Sequence, residues 1–283
     1  MQSELIRLRT KDGLELQGLL YESKGKRRRA IVHVHGWVGN CYENAFIGPI
    51  ARSALQRDIA LLAFNNRGAG IVTEFIRNEK RENIGGCLEI FEESPLDIEA
   101  AIRFLAGKGY SEITLQGHSL GCQKVICYQN ARQDRRVNRI VLLAPVNDVE
   151  YVQKKLLTKY NESIGIARDM VKKGRGQDAV PGWMQFYPLL SANMFLQVSD
   201  PNSVSGRIFD YDGKLSELKK VRVPVLAVFG SDDDFQANPA ERLGLLKKTI
   251  KCSTVLMKNS DHWFTSHEDE LAQTVVDWIA PTP

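Results

Sequence analysis

Short apolar runs alternate along this chain with longer stretches that are apolar on one side only. Six mainly apolar runs predict strands: residues 30–34, 59–64, 112–116, 137–144, 223–230 and 253–257. Helices are predicted between them, for example over residues 43–57 and from Ser94 onward, where apolar residues recur at helical spacing. Strands that alternate with helices predict an α/β protein with a mostly parallel, doubly wound sheet and helices on both faces.

Local signals refine three of these elements. Alternating residues on both sides of a Lys11-Asp12-Gly13 turn predict an antiparallel hairpin at the edge of the sheet. Ser94 is predicted to be a helix N-cap, followed by Pro95 in the first turn and Asp97 near the positive end of the helix dipole. The last helix is predicted to begin near Ser266 and to bury one apolar stripe.

Two segments interrupt the alternation. Residues 147–220 contain no apolar strand, so we expect a core of residues 1–146 and 221–283 with residues 147–220 inserted as a helical lid. A second insertion, residues 71–93, is expected at the same edge of the sheet and is predicted to form one wall of the site.

The predicted lid has a charged first part and an apolar second part. Its large side chains Trp183, Phe186, Met194 and Phe195 either face the substrate or only attach the lid to the core, and the sequence leaves both possibilities open. We predict that they bind substrate. The basic excess of residues 149–176 could attract an anionic leaving group or a carboxylate.

Composition limits the class of protein. The 283 residues are 43% hydrophobic and 25% charged, as in ordinary globular proteins. No apolar run approaches the ~20 residues that span a bilayer, and the first residues lack the layout of a signal peptide. We therefore expect no membrane span. The five scattered cysteines are best explained as reduced thiols, and we expect a cytoplasmic protein.

Charge and cysteine spacing point to no macromolecular or metal ligand. The net charge is only +4, and the basic run at residues 24–29 has no aromatic residues between its charges, so we interpret it as a solvated turn. We predict no nucleic-acid binding. No Cys-x-x-Cys pair or cluster with metal-ligand spacing occurs, so we expect no metal. Oligomeric state is left open.

The strongest chemical signal is Gly117-His118-Ser119-Leu120-Gly121, a G-x-S-x-G motif between a predicted strand and a predicted helix. In this context the motif forms a tight turn that holds the serine hydroxyl clear of the sheet. A serine needs a base, and the base needs an acid. Two later strands end in loops that supply them, Ser231-Asp232-Asp233-Asp234 and Asn259-Ser260-Asp261-His262. The resulting order is nucleophile, acid, histidine.

These motifs resemble those of the serine-dependent α/β-hydrolase superfamily, close to its small esterases and lipase-like hydrolases, over nearly the whole chain. The resemblance implies Ser119 as nucleophile and His262 as base. Its G-x-x-D pattern, matched at Gly230, implies Asp233 as the acid, although Asp232, Asp234 and Asp148 remain alternatives.

The same resemblance implies an oxyanion hole made by the amides of Leu120 and of Trp37, which follows His35-Gly36. The chain departs from the family at Asn65, where an Asp usually precedes Arg67 by two positions. We expect this change to be structural.

The expected function is hydrolysis of carboxylic esters with apolar or aromatic acyl groups, through an acyl-enzyme and without a cofactor. The expected partner is a small-molecule ester. A thioesterase, an amidase or a C–C bond hydrolase would use the same residues, and a non-catalytic ligand receptor could keep the same fold.

Overall fold

A ten-stranded mixed sheet forms the centre of the protein. The computed structural model describes residues 2–22 and 28–280. Within them the strands are β1 (Glu4–Arg9), β2 (Leu14–Tyr21), β3 (Arg29–Val34), β4 (Ile59–Phe64), β5 (Thr73–Arg77), β6 (Lys80–Ile84), β7 (Glu112–His118), β8 (Val137–Leu143), β9 (Val225–Gly230) and β10 (Cys252–Met257). Their order is β10-β9-β8-β7-β3-β4-β2-β5-β6, with β1 paired to β2.

The central strands are parallel. Neighbours from β10 through β9, β8, β7 and β3 to β4 all pair in parallel, whereas β1, β2, β5 and β6 pair only in antiparallel fashion. Parallel strands of this kind are covered on both faces, which explains why β4 and β9 are buried along their whole length. The predicted mostly parallel α/β fold is confirmed.

Eight α-helices accompany the sheet in the described part of the chain. They are α1 (Ile47–Leu55), α2 (Ser94–Gly107), α3 (Leu120–Arg132), α4 (Asp148–Leu156), α5 (Tyr160–Lys172), α6 (Ala192–Ser199), α7 (Pro239–Thr249) and α8 (Glu268–Ile279). α1 packs on α8 and α2 packs on α3. In α2 the predicted apolar stripe, which includes Ile98 and Leu105, is fully buried.

Two predicted helix starts differ from the structure. α1 begins at Ile47 instead of near residue 43. Ser94 is the first residue of α2 and not its N-cap, because a short 3₁₀ helix, Phe91–Glu93, leads directly into α2 and leaves Glu93 in the capping position. The Ser94 hydroxyl is buried without a hydrogen-bond partner among the described residues.

The insertion at residues 71–93 begins with a β-hairpin that extends the sheet. β5 and β6 are joined by Asn78 and Glu79, which both have positive φ angles, +49° and +69°. Two such residues match the right-handed twist of a tight hairpin. The hairpin was not predicted, because four of the five residues of β6 are exposed and polar and give no alternating pattern.

Residues 147–220, all of which the structure describes, contain α4, α5 and α6 and no strand beyond an isolated bridge between Ala179 and Ser191. They have a small apolar cluster of their own, separate from the main core around the sheet. This second cluster also takes in Cys87, Phe91 and Leu120, so the inserted helices rest on the start of α3.

The basic run at residues 24–29 lies mostly outside the described residues. Of its members, Arg28 forms an ion pair with Glu112 at 2.6 Å, and Arg29 opens β3.

Candidate active site

Ser119 occupies a strained turn between β7 and α3. Its backbone angles, φ +52° and ψ −128°, lie in a region that residues other than glycine rarely adopt. The turn is so tight that a side chain on Gly117, at the end of β7, would stand 2.4 Å from the carbonyl oxygen of Gly121 on α3. The strand and helix thus approach as the motif requires, and the half-buried Ser119 side chain faces a cavity.

His262 follows β10 and is almost completely buried. Its Nδ1 lies 2.9 Å from Oδ2 of Asp233, which follows β9 and is also buried. The other carboxylate oxygen of Asp233 accepts a hydrogen bond from the amide of Phe235 at 2.9 Å. The contact predicted between Asp233 and His262 is therefore present, and it leaves Nε2 of His262 free to face a substrate or a serine.

The alternative acids lie elsewhere. Asp232 and Asp234 are exposed, and Asp232 accepts a hydrogen bond from Ser231 at 2.7 Å. Asp148, at the start of α4, accepts one from Nε2 of Gln123 at 2.6 Å. None of the three is hydrogen-bonded to His262.

Ser119 and His262 line the same cavity, of about 230 Å³. No hydrogen bond joins Oγ of Ser119 to His262 among the described residues. Such contacts are often long in an enzyme without substrate and tighten when the substrate binds. Ser119 thus shares this cavity with a histidine that a buried carboxylate orients.

The loop after β3 closes one side of this cavity. A side chain on Gly36 would meet Cβ of Ser119 at 2.9 Å, so only glycine lets the loop come this near. The next residue, Trp37, lines the cavity and donates from its indole nitrogen to the carbonyl of Gly86 at 2.7 Å. Leu120 is the first residue of α3, so its amide has no partner within the helix. These are the two residues predicted to form an oxyanion hole.

Two neutral histidines hold these loops in place. His35 accepts a hydrogen bond from the amide of Asn66 through Nε2 at 3.1 Å, so its Nδ1 carries the proton and donates to the carbonyl of Gly36 at 2.9 Å. His118 donates from Nε2 to the carbonyl of His262 at 3.0 Å. Burial lowers the pKa of each to about 3, so neither carries charge at neutral pH.

A buried ion pair lies beneath the site and was not predicted. Nζ of Lys124 on α3 contacts Glu89 at 2.7 Å and Asn66 at 3.0 Å, and the Lys124 and Glu89 side chains are fully buried. Burial raises the pKa of Glu89 although Lys124 stands beside it. The sequence offered one signal for this ion pair: Lys124 is the single charged residue among residues 120–126, which are otherwise apolar or uncharged.

The departure at Asn65 is accommodated by the backbone. Oδ1 of Asn65 accepts a hydrogen bond from the amide of Cys41 at 2.9 Å, which ties the end of β4 to the loop before α1. Asn65 does not line the cavity.

Of the four predicted substrate-binding residues, only Phe186 lines the cavity. Trp183 is 42% exposed, with the ammonium of Lys159 above its ring. Met194 and Phe195 are fully buried in the second apolar cluster, where Phe195 stacks behind Phe186 at 6.3 Å between ring centroids. These three residues therefore do not lie where they were predicted: Trp183, in the 3₁₀ helix Gly182–Met184, is exposed at the surface, and α6 packs Met194 and Phe195 against α4 and α5.

The predicted wall at residues 71–93 is also absent from the cavity lining. This insertion contacts the cavity only through Trp37, because its Gly86 carbonyl accepts the hydrogen bond from the Trp37 indole.

Aromatic side chains form a large part of the cavity wall, and sequence analysis missed most of them. Six aromatic residues line it besides the two histidines: Trp37, Tyr151, Phe186, Tyr187, Phe235 and Trp263. Asp148 lines it too, and burial raises the pKa of that carboxyl to about 7. Phe235 and Trp263 each lie one or two residues from Asp233 or His262, which was the only signal that could have found them.

Within the described ranges, no three His, Cys, Asp or Glu side chains are grouped so as to hold a metal ion. No helix in that part of the chain is long and apolar enough to cross a bilayer.

Comparison with known proteins places the chain in context. A family model described as a protein of unknown function (DUF1749) matches residues 90–271, a range that includes Ser119, Asp233 and His262. No curated protein matches the chain.

Solved structures match it over nearly its full length. Carboxylesterase CesB from Bacillus subtilis is 17% identical with a TM-score of 0.61, covering 100% of this chain and 93% of that one. The Pyrococcus furiosus esterase PF2001 is 15% identical with a TM-score of 0.66, covering 98% and 90%. Est1E from Butyrivibrio proteoclasticus, solved with ferulic acid bound, is 17% identical with a TM-score of 0.64, covering 97% of each. At sequence identities this low, the structural matches establish the fold alone, and they confirm the resemblance inferred from the sequence at the level of the fold.

Proposed function

The chain belongs to the DUF1749 family and has the α/β-hydrolase fold, and from that premise we propose that it is a serine hydrolase that cleaves carboxylic esters through an acyl-enzyme. One observation carries the proposal. Ser119 stands at a strained turn and shares a cavity with His262, whose Nδ1 is held by the buried Asp233. A strained nucleophile beside an oriented base is the arrangement that acyl transfer needs.

In the proposed mechanism, Nε2 of His262 removes the proton of Ser119 as Oγ attacks the ester carbonyl. The amides of Trp37 and Leu120 stabilise the oxyanion, and the dipole of α3 favours the same charge. His262 then protonates the leaving alcohol. Water, activated by His262 in turn, releases the acid from Ser119. Asp233 holds the tautomer and stabilises the imidazolium throughout.

Residues 147–220 form the lid of this enzyme in our proposal, with residues 1–146 and 221–283 as the core. Val152 on α4, together with Tyr151 and Phe186, supplies apolar surface to the cavity. The cavity volume of about 230 Å³ lies just below the ~300–1,000 Å³ usual for ligand pockets, which favours a small acyl group. A cytoplasmic location is also proposed, since all five cysteines are unpaired.

The test is covalent labelling with a fluorophosphonate followed by peptide mapping. We expect label on Ser119, together with hydrolysis of p-nitrophenyl acetate that Ser119→Ala reduces to background while the circular dichroism spectrum is kept. Ser111→Ala is the matched control, because Ser111 is exposed at the opposite end of β7 and should leave both labelling and turnover unchanged.

Other outcomes would overturn specific parts of the proposal. Label at any other serine, or turnover of the Ser119→Ala variant above a few per cent, removes Ser119 from the mechanism. If Ser119 is labelled but the protein hydrolyses a thioester or an amide and no ester, Ser119 remains the nucleophile and the proposed ester substrate is wrong. A protein that takes no label and hydrolyses no ester would refute the hydrolase proposal and favour the non-catalytic receptor.

A further inference from the structure

The charged groups that line the cavity at Ser119 are all acidic. They are Glu43 and Asp148, and no Lys or Arg is among the described residues of the lining. Glu43 is exposed and accepts a hydrogen bond from Asn40 at 3.0 Å. Asp148 is therefore the carboxylate that the cavity leaves available.

Asp148 has no cationic partner in the described part of the chain. Among the described residues, the one side chain that is hydrogen-bonded to Asp148 is Gln123, an uncharged group that also donates to the carbonyl of Val146 at 3.1 Å. Buried carboxylates are normally paired. One that faces a cavity without a partner is ready to accept a cation from a ligand.

Aromatic rings line the same cavity as this carboxylate. Tyr151, one turn along α4, stacks on Phe235 at 4.9 Å, and Phe235 meets the edge of Trp263 at 5.5 Å. Across the cavity Trp37 contacts Tyr187 edge to face at 5.1 Å. Ring faces attract ammonium groups, and most strongly where water is excluded.

One ring of the wall already binds a cation. Nζ of Lys155, an exposed side chain outside the cavity lining, lies 5.3 Å from the centroid of Tyr151. An ammonium group of a ligand inside the cavity would contact the lining rings other than Tyr151, together with Asp148.

The basic residues of the inserted helices do not make the site attractive to anions. None of them lines the cavity. Several are paired on the surface, including Lys154 with Glu150, Arg168 with Asp200 and Lys173 with Asp169. The expectation of an anionic substrate group is therefore not supported by where these side chains lie.

We propose that the cavity selects substrates that carry a positively charged ammonium group, which Asp148 and the surrounding aromatic rings bind while the ester lies at Ser119. This inference rests on the proposed function for the identity of the reacting bond, but its cation site can be tested without turnover.

The test compares isosteric pairs that differ only in charge. Hydrolysis of acetylcholine is measured against that of its neutral carbon isostere, 3,3-dimethylbutyl acetate. Binding of choline and of 3,3-dimethylbutan-1-ol to the Ser119→Ala protein is measured by calorimetry. We expect kcat/KM and affinity to favour the cation by about tenfold or more, as one ion pair and several ring contacts imply.

Two variants locate the effect. Asp148→Asn keeps the shape and the hydrogen bond to Gln123 but removes the charge, so both charge preferences should fall toward unity. Asp169→Asn is the matched control, because Asp169 is an exposed acid on α5 outside the cavity lining. Its removal should leave both preferences as they are, which excludes a long-range effect of net charge.

The outcomes separate this inference from the proposed function. Ser119-dependent hydrolysis with no preference for the cation, or with one that Asp148→Asn does not change, refutes the cation site and leaves the esterase proposal standing. Asp148-dependent choline binding in a protein that hydrolyses no ester supports the cation site and refutes the esterase. Equal binding of choline and its neutral isostere to Ser119→Ala refutes the cation site whatever the kinetics.

Discussion

Asp148→Asn should make the protein more stable at pH 8, although the residue lies in the candidate site. Burial raises the pKa of Asp148 from 3.8 to about 7. The folded chain therefore holds this proton over a range in which the unfolded chain has released it. Stability that is present at about pH 4 is lost as the pH rises toward 7, because ionisation costs more in the folded state. Asn cannot ionise and escapes this loss.

The size of the effect follows from the difference in pKa. About three units, each worth about 1.4 kcal/mol, set an upper limit of about 4 kcal/mol above pH 7. Asp148 is partly exposed to the cavity, and water there screens its charge, so we expect about 2–3 kcal/mol. The amide oxygen of Asn can still accept the hydrogen bond from Gln123.

Urea unfolding at pH 4.5 and pH 8.5 measures the prediction. The variant and the native protein should unfold at nearly the same urea concentration at the lower pH, and the variant should be the more stable at the higher pH. Cys122 and Tyr187 lie near Asp148, but burial raises the pKa of each above its ordinary value, so neither titrates in this range. A stability difference independent of pH, or a less stable variant at pH 8.5, would refute the reasoning.

Two further predictions concern the reaction. Asp233→Asn should lower kcat for p-nitrophenyl acetate by about 10³–10⁴, because an amide favours the wrong tautomer of His262, whereas Asp234→Asn, at an exposed position, should change kcat little. A loss of kcat below tenfold in Asp233→Asn would show that another group orients the histidine. Phe186→Ala should lower kcat/KM for p-nitrophenyl octanoate more than for p-nitrophenyl acetate, since each buried methylene contributes about 0.8 kcal/mol. Trp183→Ala is the control, and it should leave the ratio of the two kcat/KM values unchanged. Equal losses on both esters would mean that Phe186 only supports the fold.

The sequence predicted secondary structure best where an element is buried on a regular pattern. β4 has the predicted bounds, because a strand buried on both faces is apolar throughout. β6 escaped notice because its outward residues carry charge and only Ile84 is buried. Periodicity detects the apolar face of an element, and an edge hairpin presents little of one.

The site was predictable as far as it depends on strand ends. Ser119, Asp233 and His262 follow β7, β9 and β10, and parallel strands bring such residues to one edge of the sheet. The cavity wall was not predictable, because Trp183 and Phe186 are three residues apart in a segment without regular periodicity. One is exposed and the other faces the cavity, and only tertiary packing decides between them.

The placement of Leu120 limits how freely this architecture can be recombined. Its amide begins α3 directly after Ser119, while its side chain lies in the apolar cluster of the inserted helices, together with Phe91 and Cys87. Exchanging residues 147–220 for a shorter loop, or for the insertion of a distant relative, would uncover these side chains next to Ser119. In a lineage that changes its specificity by remodelling the insertion, the first turn of α3 has to change with it. The insertion and the turn at Ser119 would therefore have to be exchanged together rather than as separate modules.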